Sequence, residues 1–157
     1  MPDIAQSAYR DVLGRFATGV AVVTGVDNEE PVGVTCQSLV ALSLVPPLMS
    51  FAMTSTGASW ARMRDRSHFA ISVLGSDQAD LAKQFATSGI DKFAGVAVTR
   101  SGSGDALLEG AIAHLEVEVV DVRTYGDHDL VVAQVTQLEA FDGEPSLFFR
   151  GAFRDLR

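Results

Sequence analysis

The clearest hydropathy pattern lies late in the chain. From Ala113 to Val119 the apolar Ala113, Leu115, Val117 and Val119 alternate with His114, Glu116 and Glu118. That spacing predicts a strand with one buried and one wet face. Asp129–Leu138 reads as a second long strand, and Ser146–Phe149 leads into a final one. Near the start, the β-branched run Val20–Thr24 is closed by the turn-like Asp27–Pro31, and Val32–Thr35 follows at once, which predicts a hairpin. Pro46-Pro47 stops what precedes it, so Leu48–Met53 reads as a buried strand, as does Phe69–Leu74. Helical spacing appears in Asp3–Arg15, where Ile4, Ala8, Val12 and Leu13 share a face that ends near Gly14 or Gly19. Ser59–Arg66 predicts a short helix. Ser76 is placed to cap another, with Asp77 and Asp80 in its first turn and Leu81, Ala82 and Phe85 facing inward. Gly102-Ser103-Gly104 marks a surface loop. Strands outnumber helices, and the long ones run consecutively without crossover helices. The expected fold is therefore mainly β, an antiparallel sheet closed as a barrel with helices packed outside.

Length and charge narrow this picture. A chain of 157 residues is expected to form one domain, 1–157, large enough to need no staple. Its formal charge of −8, from 20 acidic and 12 basic side chains, argues against binding nucleic acid or an anionic membrane surface. The one cysteine, Cys36, leaves no disulfide framework and no cysteine-based zinc site. The amino-terminal segment lacks the apolar run of a signal peptide, and no stretch reaches the roughly eighteen apolar residues of a membrane span. A cytoplasmic location is the expectation.

Candidate chemistry is sparse. There is no dinucleotide fingerprint, phosphate-binding Walker loop, zinc-protease helix or nucleophile elbow. His68, His114 and His128 lie too far apart for a metal, so no metal site is expected. His114 reads as solvated on the wet face of its strand, and His68 as a turn residue. His128 opens a strand after Tyr125-Gly126-Asp127, where a structural role and a site role both fit. Gly33–Ser38 and Thr54–Trp60 are rich in glycine and hydroxyls. Hydroxyls and free amides where a strand runs into a helix suit a phosphate, and an ordinary Ser/Thr turn has the same spacing. Cys36 reads as a small core residue.

An ordered set of fragments says more. Arg15-Phe16-Ala17-Thr18-Gly19-Val20, Gly33-Val34-Thr35, Pro46-Pro47-Leu48, Phe69–Leu74, Asp91-Lys92-Phe93, Gly126-Asp127-His128 and Phe149-Arg150-Gly151 follow one another from about Arg10 to Arg154. Together they resemble the short-chain NAD(P)H:flavin oxidoreductases, the reductase components of two-component monooxygenases. The resemblance implies an FMN-binding split barrel of Greek-key antiparallel topology, assembled as a homodimer. It implies that Gly33, Val34, Thr35, Cys36, Gln37 and Ser38 lie along the isoalloxazine ring, and that Ser50, Phe51, Thr54, Ser55, Thr56, Ser59 and Trp60 hold the ribityl chain and phosphate. Phe85, Lys92 and Phe93 would close the site. His128 would face the nicotinamide, with Phe148, Phe149, Arg150 and Gly151 lining the same cleft. Gln37 stands where many relatives carry Asn, and Phe148-Phe149 where Tyr or His is common.

The function so implied is hydride transfer from NADH or NADPH to FMN or FAD, with the reduced flavin released to a partner monooxygenase. His128 would hold the donor carbon about 3–3.5 Å from flavin N5, and no general base is required. Two other readings stand beside it. One is a split-barrel flavoprotein that keeps its flavin and acts on its own substrate. The other is a flavin carrier without catalysis.

Overall fold

The computed structural model describes residues 2–156, so the two ends of the domain expected over 1–157 lie outside the described residues. The chain runs α1 (Gln6–Leu13), β1 (Thr18–Gly19), β2 (Ala21–Asp27), β3 (Glu30–Cys36), β4 (Val40–Ser43), β5 (Leu48–Thr54), α2 (Ala58–Met63) and β6 (His68–Val73). After a single 3-10 turn come α3 (Ala79–Ala86), β7 (Val98–Arg100), β8 (Ala106–Leu108), β9 (Ala113–Tyr125), β10 (His128–Ala140), β11 (Leu147–Phe149) and β12 (Ala152–Arg154).

Seven strands form one sheet in the order β3-β2-β6-β9-β10-β5-β4, every neighbouring pair antiparallel. The β2–β3 hairpin turns on Asn28 and Glu29, both at positive φ (49° and 69°), the geometry that matches strand twist in a two-residue turn. The β9–β10 hairpin turns on Gly126-Asp127, where Gly126 takes φ 60°. The sheet curls until β3 comes alongside β5. Its two end strands do not pair, so the closed barrel expected from the strand count is open along one seam. Ser38, just past β3, bridges that seam: its hydroxyl donates to Ala52 O (3.0 Å) and accepts from Ala52 N (2.8 Å). Ala52 lies on β5 beyond the reach of β4, so the side chain satisfies an edge that a strand would otherwise cover.

The interior holds Val23, Phe51, Phe69, Ile71, Val117 and Val131, plugged at one end by Trp60 and Met63 of α2. A second cluster of Val20, Val22, Leu74, Ala82, Phe85 and Leu108 lies outside the sheet under α3. The uninterrupted Val20–Val23 run is thereby explained: β2 is covered on both faces.

Several expectations change. α1 is shorter than Asp3–Arg15 and buries no residue. Ser76 caps nothing with its side chain; the 3-10 turn places Gln78 there instead, its Oε1 accepting from Gly75 N (2.9 Å). His114 is not solvated, for its Nε2 lies 2.8 Å from Leu108 O and its ring packs edge-on against Phe141. His68 begins β6 rather than sitting in a turn, with Nδ1 2.8 Å from the buried Asp105. Arg66 joins the same carboxylate at 3.1 Å.

Candidate functional site

A cleft of about 980 Å³ opens along the outer edge of β3. Because β3 ends the sheet, alternate residues turn their N–H and C=O groups into this cleft with no strand to receive them. Gly33 O is one such group, and it accepts from Lys92 Nζ at 3.2 Å. The same ammonium donates to Ser59 Oγ at 2.9 Å, so one lysine ties the loop after α3 to both the strand edge and α2. Burial pushes the Lys92 amine below its ordinary value. Behind the strand, a Cβ on Gly33 would stand 2.7 Å from Phe85 Cε1 and 3.4 Å from Phe93 Cζ. Only glycine lets that aromatic pair, centroids 4.9 Å apart and perpendicular, press against the strand.

The cleft gathers much of the candidate set. Gly33, Val34, Thr35, Cys36, Gln37 and Ser38 line it, with Thr54, Ser59, Trp60, Lys92, Phe93 and His128. Phe85 supports it from beneath. The other candidates lie elsewhere. Phe51 is fully buried inside the barrel, and Ser50 pairs in β5 between β4 and β10. Ser55 and Thr56 belong to the loop that enters α2 but are not on the cleft wall; Ser55 gives its hydroxyl proton to Asp129 Oδ1 at 3.3 Å. Phe148, Phe149, Arg150 and Gly151 also miss the cleft. Phe148 pairs with Thr18 and packs on Phe153 at 5.2 Å, while Arg150 N donates to Gly14 O. Cys36 points into the core beside Ser38 Oγ (3.3 Å), and burial raises its thiol.

Other lining residues escaped the sequence reading. Tyr9 and Leu13 come from one face of α1, and their four-residue spacing on an exposed apolar helix was the available signal. Arg62 lines the cleft too, clamped to Asp27 (2.9 Å) and Glu30 (3.2 Å). Nothing in the local sequence marks that clamp.

His128 opens β10 opposite Thr54 of β5. Its Nδ1 lies 2.7 Å from Asp127 Oδ1, which leaves Nε2 for the cleft and holds the Asp127 carboxyl below its usual range. Next to it, Asp129 is 1% exposed. The Thr124 hydroxyl above all, then the Trp60 and Arg64 donors, hold its carboxyl down from 3.8 to about 2, against the opposing effect of burial. A folded-state value below the unfolded one means the unfolded chain takes up the proton first. The stabilisation is complete above about pH 4 and is lost as pH falls toward about 2. Acid melting curves should therefore steepen in that window, and Asp129→Asn should flatten them; a variant with the same slope as the parent would refute the assignment.

The cleft suits a flavin nucleotide. It sets apolar side chains such as Val34 and Phe93 beside an unpaired strand edge for a ring's polar margin, and hydroxyls with one ammonium for an anionic tail. Comparison with known proteins gives the family. A model of the flavin reductase like domain matches residues 13–157. The reductase subunit HsaB of a flavin-dependent monooxygenase from Rhodococcus jostii is 40% identical over 146 residues, covering 92% of this chain and 75% of that protein. An NADH-dependent flavin reductase from a Rhodococcus species is 35% identical over 158 residues, 99% of this chain and 89% of the other. Among solved structures, the Streptomyces globisporus NADH:FAD oxidoreductase SgcE6, in complex with NAD and FAD fragments, superposes with a TM-score of 0.92 at 33% identity, covering 99% and 98% of the two chains.

Proposed function

The chain belongs to the flavin reductase like family, and from that premise we propose how it works: as an NAD(P)H:flavin oxidoreductase that supplies reduced flavin to a partner monooxygenase. The observation that carries this reading is the β3 cleft, whose unpaired strand edge, hydroxyls and Lys92 fit a flavin, with His128 on the same wall. A bound flavin supplies the hydride-accepting ring, so the protein's task is to bind, orient and release.

In this proposal the edge of Gly33–Ser38 holds the ring, with the Phe85–Phe93 pair stiffening the strand from behind. Thr54, Ser59 and Lys92 receive the phosphate. His128 orients the nicotinamide through Nε2, its other nitrogen fixed by Asp127. Phe148–Gly151, behind the cleft, position α1 through the Arg150–Gly14 bond rather than touch the nucleotide. Residues 1–157 act as one domain, in the cytoplasm; no helix among the described residues is long and apolar enough to cross a membrane.

A homodimer belongs to the same proposal. Leu44 and Val45 are 90% and 92% exposed after the open strand β4, whose Val40 and Leu42 also face solvent. Such a patch suits a second copy. Light scattering should give twice the chain mass; a monomer would count against it. The function itself is tested by aerobic NADH and NADPH oxidation with and without added FMN or FAD. Oxidation that needs and saturates with added flavin supports the reductase. Flavin that co-purifies and survives gel filtration favours the own-substrate flavoprotein instead, and binding without oxidation favours the carrier.

A further inference from the structure

Four donors from three separate parts of the chain converge on the buried Asp129. Oδ1 accepts from the Thr124 hydroxyl at 2.7 Å and the Ser55 hydroxyl at 3.3 Å. Oδ2 accepts from Trp60 Nε1 and Arg64 Nε, each at 2.8 Å. All four outward lone pairs are thus engaged, and the charge is met by Arg64. A backbone bond from Ser55 N to Asp127 O at 3.0 Å lies alongside. The linked segments are the hydroxyl-rich loop before α2, α2 itself, and the hairpin end that carries His128.

We infer that Asp129 is a positioning residue for the flavin site, holding the 54–56 loop in register with the turn that carries His128. The inference rests on the flavin reading of the cleft. Because the Ser55 proton is committed to Asp129, Ser55 does not serve the phosphate; it orients the loop so that the exposed Thr54, on the cleft wall, does. Asp129 acts behind the site and never touches the nucleotide. Its neighbour His128 makes the contact, and Asp129 sets the distance between that contact and the loop.

A merely structural carboxylate would weaken every ligand alike, whereas a residue that shapes the phosphate loop discriminates between ligands. The test compares FMN with riboflavin, which lacks the phosphate, by quenching of flavin fluorescence. In Asp129→Asn, FMN affinity is expected to fall on the order of tenfold and riboflavin affinity less than threefold, since a charge-assisted anchor of the loop is lost. Thr124→Val covers the case in which Asn at 129 fails to fold. It removes the 2.7 Å bond without altering the loop, α2 or the cleft wall, and should narrow the FMN preference at least threefold, with the rest of the site intact. Equal losses for both flavins, or an unchanged preference in Thr124→Val, would overturn the role of Asp129 alone. A parent protein that binds neither flavin would overturn the reading of the cleft, a result visible before any variant is made.

Discussion

With His128 replaced by alanine, reduction of bound flavin by NADH is expected to slow by about a hundredfold while flavin affinity stays within about threefold. The imidazole sits half exposed on the cleft wall, and its one bond within the chain, to Asp127, is itself at the surface. Removing it leaves no buried group unpaired and opens no hole in the core, so the melting temperature should hardly move. What is lost is alignment. A nicotinamide that binds in many orientations reacts from few of them, and a misplacement of about 1 Å is enough for a hundredfold loss. Anaerobic stopped-flow at limiting NADH reads the rate, and a titration of flavin fluorescence reads the affinity. An unchanged rate would remove His128 from the site; equal falls in rate and flavin affinity would assign it to flavin binding instead.

Trp60→Ala should give the largest loss of stability, about 3–5 kcal/mol by analogy with other aromatic truncations in cores. The indole is 1% exposed at the end of the barrel, 6.4 Å from Phe51 and 5.8 Å from Phe69 between ring centroids. Its Nε1–H is also one of the donors to Asp129, so the variant both empties the plug and under-satisfies a buried carboxylate. For a chain of this size the melting temperature should drop by roughly 10 °C or more. Trp60→Phe keeps most of the ring contact and forfeits only the N–H, so it should melt between the two. Identical melting of Trp60→Phe and Trp60→Ala would show that the bond to Asp129, not the packing, is what the indole provides.

The long β9–β10 hairpin was legible because one of its faces is wet, which writes a period of two into the sequence. β2 was legible as apolar but not as two-sided, since an unbroken valine run does not reveal that a barrel covers one face and α3 the other. β4 escaped because its residues face solvent and pair only with β5, so no burial pattern marks them. The short β7–β8 pair around Gly102–Gly104 escaped for want of length. In the site, Gly33–Ser38 could be read from a contiguous motif, because a single strand edge forms that wall. The hub at Asp129 could not. Its partners Ser55, Trp60 and Arg64 lie 74, 69 and 65 residues away, and only the folded sheet brings them together. Phe148–Gly151 carried a recognisable pattern, but in the fold Phe148 pairs with Thr18 and Arg150 N bonds Gly14 O at the end of α1, off the cleft wall.

The seam between β3 and β5 runs beside the cleft, and Ser38 and Ala52 on its two sides both line the cleft wall. Elsewhere each strand is held to its neighbour by a ladder of rungs that must break together; here one hydroxyl, that of Ser38, holds two backbone groups of Ala52. A wall fastened by a single clasp has fewer bonds to break than a strand held by a full ladder. A shuttle enzyme has to let its flavin go after every turnover, and an edge beside the cleft held by two bonds is the least costly part of the barrel wall to open for that release.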